Sequence, residues 1–120
     1  MKKILVVDDE EHLRELFKEE LEDEGYEVIL ANSGEEAIKK LNSFIPDLIT
    51  LDLKMPGMGG IETLKEIKKI KQDLPVVIFT GYGKFKQNNN TWDSDAYVVK
   101  SSDLLELKST IKKILKETKK

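Results

Sequence analysis

Apolar residues along this chain follow two alternating rhythms. Short, nearly continuous apolar runs occupy residues 3–7, 26–31, 48–51, 76–79 and 96–99. Runs of that length, bounded by glycine, proline or acids, predict β-strands. Between them the apolar positions recur at helical spacing. Leu13, Leu16, Phe17 and Leu21 form one such set, stopped by Gly25. Ala37, Ile38 and Leu41 form a second, ending before Pro46. It opens on Ser33 with Glu36 three residues later, the pattern of a capping box. Ile61, Leu64, Ile67 and Ile70 share one face of a third helix, and Leu104, Leu107, Ile111, Ile114 and Leu115 one face of a last helix that starts near Ser102.

Strict alternation of five strands with about five helices predicts an α/β fold, an open, doubly wound five-stranded parallel sheet with right-handed crossovers. The run 48–51 is apolar on both faces, as a central parallel strand should be. Pro75 opens the fourth strand. Residues 81–94 are the least regular stretch, with Gly81, Gly83 and the triplet Asn88-Asn89-Asn90, and any helix there is short. Neither a repeat nor a linker interrupts the pattern, so residues 1–120 read as one domain.

Composition narrows the class. Hydrophobic residues make up 39% of the chain, and no stretch approaches the roughly 18 apolar residues that span a bilayer. Met1-Lys2-Lys3 leads directly into a short apolar run that ends in acids, which is not a secretory signal; the expected location is the cytoplasm. With no cysteine, disulfides and thiolate metal sites are excluded, and hard oxygen-ligand chemistry is favoured. The net charge of −3 hides an uneven spread. Residues 8–27 hold eleven acids, and residues 100–120 hold seven lysines. We read these as solvated helix faces rather than a nucleic-acid patch. Abundant lysine and glutamate fit a thermophilic source.

The chemistry lies at the strand ends. Asp8 and Asp9 close the first strand, Asp52 the third, Thr80 the fourth and Lys100 the fifth. In a parallel sheet these carboxyl ends share the edge where ligands bind. Adjacent carboxylates repel unless a cation compensates them, and Mg²⁺ uses one or two carboxylates together with water and phosphate oxygens. Asp9 and Asp52 are read as direct ligands, Asp8 as a ligand through water, and the backbone carbonyl of Lys54 as a third protein ligand. Taken alone, Asp8 and Asp9 would serve equally well to cap the following helix. Asp52 can act as a nucleophile toward phosphorus. Lys100 would neutralise a phosphoryl oxygen, and Thr80 would donate to one. Each of these two taken singly would read as an ordinary strand-end residue; their joint occurrence is what argues for a site.

The motifs Val6-Val7-Asp8-Asp9-Glu10, Leu51-Asp52-Leu53-Lys54-Met55-Pro56-Gly57-Met58, Phe79-Thr80-Gly81-Tyr82 and Tyr97-Val98-Val99-Lys100 occur in order and at suitable spacing. Over essentially its full length the chain thereby resembles a response-regulator receiver domain of two-component signalling. The resemblance implies the flavodoxin-like strand order 2-1-3-4-5. It implies phosphoryl transfer to Asp52 from a phosphohistidine on a sensor histidine kinase, with Mg²⁺ held by Asp8, Asp9 and Asp52. Thr80 would move toward the phosphoryl group and Tyr97 would swing inward. That shift would remodel the surface of the fourth helix, fifth strand and fifth helix and pass the signal to a downstream protein or output domain. His12, Leu13, Leu16, Met55, Pro56 and Ser101 are the expected kinase interface. Neither nucleic-acid binding nor membrane insertion is expected.

The chain departs from the family pattern in places. Ser101 stands where proline is usual, Gly59 where aspartate is frequent, and the stretch between Thr80 and Lys100 is short and asparagine-rich. Three other functions are weighed. A flavodoxin-like cofactor binder needs a phosphate-cradling turn after the first strand, where this chain has Asp8-Asp9-Glu10-Glu11. A Mg²⁺-dependent phosphohydrolase with an aspartyl nucleophile usually places that residue after the first strand and carries a cap. A docking module independent of phosphorylation would not need Asp8, Asp9, Asp52, Thr80 and Lys100 together.

Overall fold

The computed structural model describes residues 1–53, 55, 57–81, 94–100 and 104–117. Its elements follow in the order β1 (Lys3–Val7), α1 (Glu11–Asp23), β2 (Glu27–Ala31), α2 (Gly34–Leu41), β3 (Leu48–Leu51), α3 (Gly60–Ile70), β4 (Val76–Thr80), β5 (Ala96–Val99) and α4 (Leu105–Glu117). All strands are parallel, in the order β2-β1-β3-β4-β5. The expected α/β class and strand order are thus met. Four helices lie among the described residues, against about five expected. Residues 82–93, where a further short helix was expected, lie outside the described residues, as do Lys54, Pro56 and Ser101 to Asp103.

Alternate side chains of each strand feed two cores. Leu5, Val7, Ile49, Leu51, Val76 and Ile78 pack with Ala37 and Leu41 of α2 and Leu64 and Ile67 of α3. Ile4, Val6, Leu48, Val77, Phe79 and Val98 pack with Phe17 and Leu21 of α1 and Leu107, Ile111 and Leu115 of α4. β1, β3 and β4 are central, and apart from Lys3 every one of their residues is buried, which explains their unbroken apolar runs.

Local signals act where the sequence places them. Ser33 Oγ accepts from the Glu36 N–H at 3.0 Å, and Glu36 Oε1 accepts from the Asn32 N–H at 2.5 Å. α1 ends in a Schellman turn: Gly25 adopts φ 95°, with its N–H on the Glu22 carbonyl and the Tyr26 N–H on that of Leu21. Tyr26, expected as the first residue of β2, is taken up by that turn, and the strand starts at Glu27. Ile70 was expected on the buried face of α3 but is 43% exposed, because the helix stops there and the chain turns toward β4. Leu16, at the same helical spacing as Phe17 and Leu21, is also exposed.

Candidate functional site

The backbone carries each site residue one step past its strand while keeping it in the ladder. The Asp8 N–H donates to Ala31 O at 3.2 Å, the Asp52 N–H to Val7 O at 3.1 Å, and the Lys100 N–H to Thr80 O at 2.8 Å. Three side chains from distant parts of the chain are thereby held on one edge of the sheet by main-chain bonds.

The side chains then converge. One carboxylate oxygen from each of Asp8, Asp9 and Asp52 lies within 4.8 Å of the others. Asp8 and Asp52 are 2% and 7% exposed, whereas Asp9 faces solvent. Lys100 Nζ reaches Asp8 Oδ2 at 2.8 Å and Asp52 Oδ2 at 3.3 Å. Burial works against the charge on Lys100, but the hydrogen bond to Asp8 and the charges of Asp52 and Asp8 outweigh it and hold the ammonium above the ordinary lysine value. Thr80 Oγ1 is fully buried and makes no hydrogen bond among the described residues, a costly state for a hydroxyl.

Sequence reasoning brought Asp8, Asp9, Asp52 and Lys100 to one cleft, and the structure joins them. The helix-capping role open to Asp8 is not realised: the N-cap of α1 is Glu10, without a side-chain cap bond, and Asp8 Oδ1 accepts from the Glu10 N–H at 2.9 Å in the turn before the helix. His12 is exposed in the first turn of α1, Leu13 is partly buried beside it, and Met55 is packed into the core with 8% exposure. Tyr97 is half-buried against the core shared by α2 and α3. The Lys54 carbonyl, Pro56 and Ser101 lie outside the described residues.

Two contributors escaped the sequence reading. Arg14 donates from Nη1 to the Asp8 carbonyl at 2.7 Å and fixes the turn that presents both acids. Its signal was available, since it is the only arginine in a lysine-rich chain. Phe17 and Phe79 pack at 5.1 Å between centroids, and Lys100 Nζ lies 5.9 Å from each ring. The two rings hold the ammonium over a low-dielectric floor, which strengthens its pull on the carboxylates. That pairing joins α1 to β4 and has no local signature.

Acids and an ammonium converging at the carboxyl edge of a parallel sheet are compatible with a phosphoacceptor site. The family comparison agrees: residues 4–112 match the response regulator receiver domain, and the chain belongs to that family. It is 37% identical over 115 residues to sporulation initiation phosphotransferase F of Bacillus subtilis, covering 94% of this chain and 93% of that one. It is 39% identical over 119 residues to the alkaline phosphatase synthesis transcriptional regulatory protein PhoP of the same organism, covering 98% of this chain but only 50% of PhoP. Among solved structures, it superposes with a TM-score of 0.91 and 50% identity on the response regulator TrrA of Thermotoga maritima in complex with Mg²⁺-BeF, covering 94% of this chain and 98% of TrrA. A complex of TrrA with the histidine kinase ThkA matches equally well, at TM-score 0.91 and 50% identity over 96% of this chain and 99% of the matched one. Among the described residues, no helix is long and apolar enough to cross a membrane.

Proposed function

We propose that this receiver, formed by residues 1–120, takes a phosphoryl group onto Asp52 from the phosphohistidine of a sensor histidine kinase, with Mg²⁺ as cofactor. The observation that carries the reading is the convergence of three carboxylates within 4.8 Å of one another, with Lys100 on two of them. The donor set suits the metal. Three hard oxygens face each other, the ligand type a divalent cation such as Mg²⁺ prefers. Asp8, Asp9 and Asp52 would hold it. Once bound, it would screen the charge between Asp52 and the incoming phosphoryl oxygens.

The residues of the chain supply the rest. An Asp52 carboxylate oxygen attacks phosphorus, a P–O bond forms and the P–N bond to imidazole breaks. The bonding pair leaves on the imidazole nitrogen, which then takes a proton, and Asp52 becomes an acyl phosphate. Lys100 is already 3.3 Å from Asp52 and would pair with a new phosphoryl oxygen. The Thr80 hydroxyl, buried with no partner among the described residues, would gain a hydrogen bond by turning to that group. This gain is the bias that moves β4, with Tyr97 following, and alters the surface offered to a downstream protein or output domain.

The proposed kinase surface includes His12 and Leu16, both exposed on α1 beside the acids. The kinase complex of a 50% identical relative supports such a partner. We assign the activity to the cytoplasm, as a switch rather than a metabolic enzyme, without direct nucleic-acid binding.

The test is intact mass after incubation with acetyl phosphate and Mg²⁺, beside Asp52→Asn. One phosphoryl adduct is expected in the wild type with Mg²⁺ and none in the variant or without metal. A folded wild type that binds Mg²⁺ and takes no phosphoryl group, from acetyl phosphate or from a kinase, would sink the reading.

A further inference from the structure

Glu35 stands apart from the other acids at helix starts. The first turn of α2 is already served: Ser33 accepts from Glu36 N–H, and Glu36 accepts from Asn32 N–H. Glu35 instead sends its carboxylate to a residue 23 positions away, where Oε2 accepts from the Met58 N–H at 3.1 Å. The same oxygen lies 2.8 Å from where a Cβ on Gly57 would stand. Gly57 has φ 71°, a left-handed backbone that favours glycine.

That contact belongs to a ring of close approaches around the loop leaving Asp52. At the inner end, a Cβ on Gly60 would overlap the Asp52 carbonyl, and the Gly60 N–H donates to Leu53 O at 3.0 Å. One turn on, Thr63 Oγ1 donates to Gly59 O at 2.8 Å. A Cβ on Gly34 would overlap Thr63 Oγ1 and stand 3.1 Å from the Met58 carbonyl. Gly60 therefore anchors the loop beside Asp52, and Glu35 anchors its far side. Glu35 is exposed, and the N–H groups of its own backbone and of Met58 hold its carboxyl below the usual range, so the acceptor is anionic at neutral pH.

We propose that Glu35 is a positioning residue for the phosphoacceptor: by holding the Met58 N–H it sets the path of the loop after Asp52, and through it the Mg²⁺ affinity and phosphorylation rate of the site. This rests on reading Asp8, Asp9 and Asp52 as the Mg²⁺ and phosphoryl site. Groups that orient metal ligands at one remove typically change metal affinity by about 10–100-fold, and a contact further out belongs at the low end.

The test compares Glu35→Ala, Glu35→Asp and Glu35→Gln, with thermal melts showing that each folds. Glutamine keeps an acceptor oxygen of the same reach without the charge; aspartate keeps the charge without the reach. NMR would follow Met58 amide exchange and a titration with Mg²⁺ alone, and acetyl phosphate would report the phosphorylation rate. In the Ala and Asp variants we expect faster Met58 exchange and roughly tenfold weaker Mg²⁺ binding. We also expect slower phosphorylation there, with the Gln variant restoring all three. Normal Mg²⁺ affinity and phosphorylation rate in Glu35→Ala overturn the proposal. A Gln variant as weak as Ala overturns it in favour of a purely electrostatic effect. A wild type that binds no Mg²⁺ overturns the reading of the aspartates and this proposal with it.

Discussion

The two edges of the sheet use the same residue type for opposite ends. At the amino edge, Asp47 Oδ2 accepts from the Lys3 N–H at 2.7 Å. Asp95 Oδ2 accepts from the Val76 N–H at 2.8 Å and from Lys68 Nζ at 3.2 Å. Lys68 in turn donates to Leu74 O at 2.7 Å, closing the turn between α3 and β4. Each aspartate there satisfies a main-chain donor that the sheet leaves over. At the carboxyl edge Asp8, Asp9 and Asp52 face one another, and the buried Thr80 hydroxyl has no partner among the described residues. At the amino edge each acid meets a donor; at the carboxyl edge Lys100 pairs with Asp8 and Asp52, and the remaining repulsion among the three acids is what a cation would relieve. Violations of this kind concentrate where function lies.

The comparison can be broken by substitution. The largest effect is expected at Lys100. Lys100→Met should slow phosphorylation from acetyl phosphate by about 10²-fold or more, as for loss of one preorganised donor. It also leaves Asp8 and Asp52 buried without the ammonium, which should cost about 3 kcal/mol in urea unfolding without Mg²⁺. The linkage has a definite sign. Lys100 titrates above the ordinary 10.5, so its stabilisation is complete below that pH and is lost as pH rises through the higher folded value. The stability of the wild type should therefore fall above pH 10.5, and the gap to Lys100→Met should shrink there.

Smaller effects separate the edges more sharply. Asp95→Ala should cost about 1–2 kcal/mol, because the Val76 N–H and Lys68 lose their shared acceptor, while phosphorylation stays normal. Thr80→Val should do the reverse. It removes a buried hydroxyl that has no partner among the described residues and should raise stability by about 1 kcal/mol, measured by thermal melt, while blunting the chemical-shift changes that phosphorylation causes in β5. Asp9→Asn is the mildest in stability: relief of repulsion at an exposed position should add about 0.5 kcal/mol without Mg²⁺ and weaken Mg²⁺ binding. Loss of stability in both Thr80→Val and Asp9→Asn would end the contrast between the edges.

Much of the carboxyl edge was legible in the sequence. Asp8, Asp52, Thr80 and Lys100 each follow or end an apolar run, and a parallel sheet must bring such ends together. Ser33 and Glu36 announced their cap through spacing alone. The amino edge was not legible: Asp47 and Asp95 look like ordinary loop acids until the strands beside them are placed. Arg14, the Phe17–Phe79 pair and Glu35 were missed for the same reason. Ile70 shows the converse, a helical rhythm that continues one residue past the surface that would bury it.

Taken by itself, the sequence determined the order and kind of elements and the chemistry at each strand end, because both depend on residues a few positions apart. Tertiary structure decided which ends meet. Lys100 reaches Asp8 across 92 residues and Asp52 across 48, and Glu35 reaches Met58 across 23. Those contacts depend on strand order, register and the packing of helices on both faces, which no local pattern encodes.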